Sequence, residues 1–256
     1  MDLQLKDRRV LVTGGSKGIG LAIAKAFLDE GASVIITARR DDVLKDAVQA
    51  LNGGQRVSTF AADLSQKEER IRLAAAFPDV DILVNNAGAI PGGSLFDIDI
   101  ETWEAAWSLK VMGYIHLTQL YLAKMKEKRD GVIVNVIGSA GRSPRHDYVC
   151  GGVGNAALMA FTGAVGGQSP EFGVRVFAIN PSQTRTDRII TLSKARAKTT
   201  LGDEGRWEEL LSNLPFGRLA EPEEMASTVV CLASPVCGYV SGATLDVDGG
   251  QAFRKG

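Results

Sequence analysis

The chain is predicted to be an α/β protein built on a doubly wound, parallel, seven-stranded sheet with helices on both faces. Three observations predict it. Short apolar runs alternate with helix-patterned stretches along the whole chain. Several of those runs are apolar at nearly every position, as strands buried on both faces must be. A glycine-rich turn separates the first run from the first helical stretch.

Arg9-Val10-Leu11-Val12-Thr13 is the first strand, and Ile19 to Leu28 carries apolar residues at helical spacing until Gly31 stops it. Val34-Ile35-Ile36-Thr37 then precedes a helix over 41–51, and Val57-Ser58-Thr59-Phe60 precedes another over 65–77. A fourth strand, Asp81-Ile82-Leu83-Val84, leads into one long helical pattern from Trp103 to Met125. The fifth strand is Gly131 to Val136, followed by a helix through 155–161. The sixth is Val174 to Ile179, and the seventh lies near Thr244 to Val247. Right-handed crossovers between such strands wind the sheet in both directions. The 256 residues read as one domain, 1–256, in which the polar, irregular stretch 187–214 is a candidate substrate lid.

Twenty-nine Lys and Arg against 30 Asp and Glu leave a net charge of −1, so neither nucleic acid nor an anionic membrane is an expected partner. Cys150, Cys231 and Cys237 lack metal-site spacing and are expected to be buried thiols of a reducing compartment. No bound metal is expected. The first residues have no apolar leader pattern, and no membrane segment is expected, which points to the cytoplasm.

In Thr13-Gly14-Gly15-Ser16-Lys17-Gly18-Ile19-Gly20, backbone N–H groups and a helix dipole converge where side chains are small, a place for a pyrophosphate. This spacing, Thr-Gly-x-x-x-Gly-x-Gly, resembles the short-chain dehydrogenase/reductase family. Later segments resemble that family too: Asp63-Leu64, Asn85-Asn86-Ala87-Gly88, Asn180-Pro181 with Thr184 and Thr186, Pro222-Glu223-Glu224 and Val247-Asp248-Gly249-Gly250. The resemblance implies a Rossmann-type fold. It implies a dinucleotide held by Gly14, Ser16, Lys17, Gly18, Ile19 and Gly20, then by Asp63, Leu64, Asn86, Ala87 and Gly88, and at the nicotinamide end by Pro181, Thr184 and Thr186. At the end of the second strand an acidic residue would select NAD. Ala38 stands there instead, followed by Arg39 and Arg40, so NADP is the expected cofactor.

The family's Asn, Ser, Tyr and Lys fall, without gaps, on Lys110, Gly138, Gly151 and Asn155. None of the four matches. Tyr148 stands three residues before the Tyr place and Ser139 one residue after the Ser place. The expected site is therefore rearranged: Tyr148 as the proton-transfer group, Ser139 beside it, Lys110 as the cation that lowers the phenol's pKa, and Asn155 in place of the usual lysine. Gly151, Gly152 and Gly154, unusual at the start of a helix, are expected to admit close approach of nicotinamide or substrate.

The sequence thus predicts an NADP(H)-dependent oxidoreductase that reduces a carbonyl or oxidises an alcohol. The alternatives are a non-redox NADP-binding or regulatory protein and a lyase or isomerase on the same scaffold. Ile90, Leu95, Phe96 and Trp207 point to a hydrophobic small-molecule substrate. The resemblance also implies a homo-oligomer, a dimer or tetramer, through helices around 101–127 and 150–168, with Ala156, Ala157, Ala160 and Gly163 allowing close packing.

Overall fold

A computed structural model describes residues 1–253; the last three residues of the expected domain lie outside the described residues. Strands β1 (Arg9–Thr13), β2 (Ser33–Ala38), β3 (Val57–Ala61), β4 (Ile82–Asn85), β5 (Gly131–Val136), β6 (Val174–Pro181) and β7 (Thr244–Val247) form one sheet in the order β3-β2-β1-β4-β5-β6-β7. Every pairing is parallel. Every residue of β4 and β5 is buried, which is why both read as unbroken apolar runs. At the edge, β3 is only partly covered.

Side chains alternate across the sheet. Val10, Val12, Val34 and Ile36 pack on one face against Phe27 of α1 (Gly18–Asp29), Leu44 of α2 (Asp41–Leu51) and Val229 of α8 (Pro222–Ala233). Leu11, Ile35 and Leu83 pack on the other against Leu73 of α3 (Lys67–Ala76) and Leu117 and Tyr121 of α5 (Val111–Lys128). Local chemistry sets the helix ends. Asp99 caps α4 (Ile100–Leu109) by accepting from the Thr102 amide at 2.8 Å, and Glu221 and Glu224 form a reciprocal box at the start of α8.

The expected single helix from Trp103 to Met125 is two, α4 and α5, and the joint between them is Lys110. Its backbone stays in the right-handed helical region (φ −85°, ψ −58°), its N–H donating to the Ala106 carbonyl and its carbonyl accepting from the Tyr114 amide, both at 3.1 Å. The next long helix, α6 (Val149–Gln168), begins a stretch to Phe172 that is apolar enough to cross a membrane by length and composition. The structure gives another reason for that composition: Leu158 and Thr162 of α6 are buried in the protein. A polar chain fixes the helix on the sheet, with Asn85 Nδ2 donating to Asn135 Oδ1 at 2.9 Å and Asn135 Nδ2 to Thr162 Oγ1 at 2.9 Å. Of the three cysteines only Cys150 is buried. Cys231 is exposed and Cys237 half-buried, because both lie at the outer end of α8.

The region after β6 contains α7 (Asp187–Leu201) and a short-turn helix over Glu204–Asn213. They are held by a small apolar cluster of Ile189, Trp207, Leu211, Leu214 and Leu219.

Candidate active site

The chain reverses direction across the sheet between β1 and β4, and a crevice opens beyond their C-terminal ends. The Thr13 hydroxyl ties its two sides, accepting from the Asn86 and Ala87 amides at 2.9 and 3.0 Å. The Asn86 side chain donates to the carbonyls of Thr13 and Gly14 at 3.0 and 3.1 Å. Gly14 and Gly18 sit at positive φ, +64° and +53°. A Cβ at Gly20 would lie 2.3 Å from the Gly14 carbonyl oxygen, so turn and helix meet as closely as backbone allows. No side chain caps α1, whose first amides are left for a ligand. That cradle suits a dinucleotide pyrophosphate.

Two cavities share this turn. The larger, about 880 Å³, is lined by Gly14, Lys17, Gly18, Ile19, Gly20, Asn86, Ala87 and Gly88 on one side, and by Pro181, Thr184 and Thr186 on another. Lys110, Ser139, Tyr148 and Asn155 line it as well. The smaller, about 540 Å³, lies between Thr37, Ala38 and Arg39 after β2, and Asp63 and Leu64 after β3. Ser16 and Arg40 line neither cavity. Arg40 instead pairs with Asp42 at 3.2 Å on the surface.

The loop after β5 is held from three sides. The Tyr114 hydroxyl donates to the Val136 carbonyl at 2.9 Å, Lys110 Nζ to the Ile137 carbonyl at 2.6 Å, and Asn155 Nδ2 to the Gly138 carbonyl at 3.3 Å. Gly138 has φ +134°, and a Cβ there would meet Asn155 Nδ2 at 3.0 Å. A serine at 138 would be strained, and the first position after it that can carry a hydroxyl is Ser139. Asn155 is buried, and its Oδ1 has no hydrogen-bond donor within the protein.

Tyr148 precedes α6, and its ring lies across Gly151: a Cβ at 151 would be 2.1 Å from the ring's Cζ and 2.6 Å from the hydroxyl. The ring packs against a cluster containing Ile90, Ile98, Trp103 and Trp107. The expectation for the helix-start glycines is thus corrected. Gly151 makes room for the Tyr148 ring, and Gly154 for Trp107 and Val111, against which its added Cβ would stand at 3.2 Å.

Burial pushes the Tyr148 phenol above its ordinary pKa, and the positive charge of Arg188 partly offsets this. Arg188 is a cation whose charge acts on the phenol, and the Lys110 ammonium, expected in that role, donates to the Ile137 carbonyl. Burial, reinforced by the like charge of Arg188, pulls Lys110 down to about 8. Arg188, in the first turn of α7, donates to the Ile90 carbonyl at 2.5 Å and so joins the segment after β6 to the segment after β4. Sequence reasoning passed over it. A signal was present, since an arginine in a helix's first turn opposes the helix dipole.

The residues expected to make the pocket hydrophobic do not line the larger cavity. Ile90 is buried in the core and Trp207 packs on the cluster beside α7, while Leu95 and Phe96 are exposed. His146 is exposed, and Asp147 is bound to Arg145. The other histidine, His116, accepts from Arg70 Nε at 3.1 Å.

Residues 8–197 match the model of the short chain dehydrogenase family. An uncharacterized oxidoreductase of Bacillus subtilis is 33% identical over 262 residues, covering 98% of each chain. Among solved structures, L-sorbose reductase from Gluconobacter frateurii, in complex with NADPH and L-sorbose, superposes with a TM-score of 0.91 at 31% identity, covering 100% of both chains. A 7α-hydroxysteroid dehydrogenase in complex with NADH superposes with a TM-score of 0.86 at 27% identity, covering 97% of this chain and 96% of that one.

Proposed function

The chain belongs to the short-chain dehydrogenase family of oxidoreductases, and from that premise we propose that it is an NADP(H)-dependent carbonyl reductase with a rearranged proton-transfer site. The observation that carries the reading is the Tyr148 ring lying across Gly151, where the family's tyrosine would be rooted. A phenol is thus still supplied to the cavity from a position three residues earlier.

A bound NADPH would supply the hydride for the carbonyl carbon. Tyr148 holds the proton for the carbonyl oxygen, and Ser139 donates a hydrogen bond to the same oxygen. The phenol, raised by burial, is protonated at neutral pH, the form that a carbonyl reduction needs. Lys110 fixes the loop that carries Ser139 and keeps positive charge near the cavity floor. The unpartnered Asn155 Oδ1 suits a ribose hydroxyl as donor. Arg39, lining the smaller cavity, and Lys17, lining the larger, are the cations assigned here to a 2′-phosphate, and their charge supports NADP over NAD. The segment 187–214 serves as the lid of a single cytoplasmic domain that acts as a homo-oligomer.

The test is NADPH oxidation with a panel of ketones, aldehydes and oxo acids. Tyr148→Phe is expected to lower kcat about 100-fold or more while NADPH still binds. Full activity in Tyr148→Phe would move the proton source elsewhere. NADPH binding with no redox turnover would favour the binding or lyase reading.

A further inference from the structure

We propose that the substrate carries a carboxylate near its reacting carbonyl and that Arg188 receives that carboxylate, a reading that rests on the reductase assignment above. Arg188 and Lys110 line the same cavity, and the charge of Arg188 acts on both Lys110 and Tyr148. Among the described residues, neither cation has a carboxylate within ion-pair distance. Their hydrogen bonds go to backbone carbonyls, Arg188 to Ile90 and Lys110 to Ile137.

Three of the acids nearby are committed elsewhere. Asp147 is bound to Arg145, Asp248 accepts from the Gly250 and Ala252 amides at 2.8 Å, and Glu221 pairs with Arg185 at 2.9 Å. Asp187, the neighbour of Arg188, lines the same cavity; like Arg188 it is exposed at the helix start, and the two form no ion pair. Two like charges converging on one cavity wall repel each other, and Arg188 also opposes the dipole of its own helix. An anion between them removes both costs. Arg39 lies after β2, whereas Arg188 reaches the Ile90 carbonyl; Thr186, two residues before it, abuts Gly18 of the pyrophosphate cradle, so the NADPH affinity of an Arg188 variant separates a cofactor contact from a substrate contact. A planar guanidinium suits the paired oxygens of a carboxylate, and an oxo acid brings that group and the reducible carbonyl together.

The experiment uses the full chain with NADPH and a panel of aliphatic and aromatic oxo acids, each paired with its methyl ester. Each acid that reacts should exceed its own ester in kcat/KM by at least about tenfold, as a charge-assisted contact implies. Because the charge of Arg188 also acts on Tyr148, the readout of Arg188→Leu is the acid-to-ester ratio of kcat/KM, which should fall by about tenfold or more through KM for the acids, with the Kd for NADPH within about twofold. Esters reduced as well as acids would overturn the carboxylate and keep the reductase. An Arg188→Leu variant that loses NADPH affinity instead would assign the arginine to the cofactor and also overturn it. If no compound is reduced, calorimetric titration of the NADP-loaded protein decides. Binding that is selective for acids and lost in Arg188→Leu upholds the carboxylate site while the redox reading fails, and binding without that selectivity overturns the site.

Discussion

The hydroxyl of Tyr148 stands 2.6 Å from the point where a β-carbon at Gly151 would be, and the ring's Cζ stands 2.1 Å from it. The two positions therefore cannot both carry side chains in this arrangement. A tyrosine at 148 requires a glycine at 151.

Gly151→Ala tests that exclusion. Alanine favours a helix over glycine by about 1 kcal/mol, so in open space the change would stabilise α6. Here the added methyl must displace a ring packed against Trp103 and Trp107, and overpacking of this kind costs roughly 1–3 kcal/mol. The expected result is a net loss of about 1 kcal/mol in urea unfolding together with at least about tenfold lower kcat. A variant both more stable and fully active would show that the ring moves freely and that its place over Gly151 is incidental.

Much of this arrangement was legible in the sequence, and the rest was not for identifiable reasons. The strands β4 and β5 were plain because burial on both faces leaves no polar alternation to confuse with a helix. The phosphate turn was plain because Gly14, Gly18 and Gly20 are each forced, by positive φ or by backbone contact. The shift of the serine from 138 to 139 could be seen, but its cause could not: φ +134° at Gly138 is a property of the folded loop. Arg188 was hidden because it meets Lys110 and Tyr148 only through the fold, from a helix far along the chain. The apolar residues near position 95 misled for the reverse reason, since Leu95 and Phe96 project outward on the segment between β4 and α4.

Cofactor choice is expected to rest on charge at the far end of the crevice. Arg39 lines the smaller cavity beside Ala38, and Lys17 lines the larger one at the start of α1. Charge-assisted hydrogen bonds are worth roughly 1.5–3 kcal/mol each. Replacing both residues by alanine should weaken NADPH binding by about two to four orders of magnitude and leave NADH nearly unchanged. Calorimetry on the double variant checks this, and equal losses for the two dinucleotides would remove the assignment.

Assembly is expected through α6, where Val153, Ala157, Ala160 and Gly163 are exposed along one stretch of the helix. Small residues let a second helix approach closely, and a two-fold axis would pair the stretch with itself. Light scattering at micromolar concentration should give a dimer or tetramer, and Ala160→Arg should shift it toward monomer. A monomeric wild-type protein would contradict this.

The buried charge of Lys110 should leave a signature in the pH dependence of stability. In the unfolded chain its ammonium titrates near 10.5, whereas in the fold burial and Arg188 bring it to about 8. Below pH 8 both states carry the proton, and the folded state bears the full cost of holding the charge. Between the two values the folded state loses its proton first, so the cost fades as pH rises, and above 10.5 it is gone. The gap between the two values corresponds to about 3 kcal/mol at most, less whatever solvent in the open cavity screens. Lys110→Met removes the charge but also leaves the Ile137 carbonyl without its donor, a loss of about 1 kcal/mol or somewhat more. The variant should therefore be the more stable protein at pH 7 by about 1–2 kcal/mol, and its advantage should shrink steadily to nothing, or reverse, by about pH 10. Urea unfolding of both proteins at fixed concentration across this range measures the difference. Parallel curves would mean that Lys110 titrates alike in both states and that its ammonium is better solvated than its surroundings imply. A bound carboxylate ligand, by neutralising the neighbouring arginine and drawing the Lys110 value upward, should flatten the same difference, which joins the stability measurement to the substrate class proposed for the site.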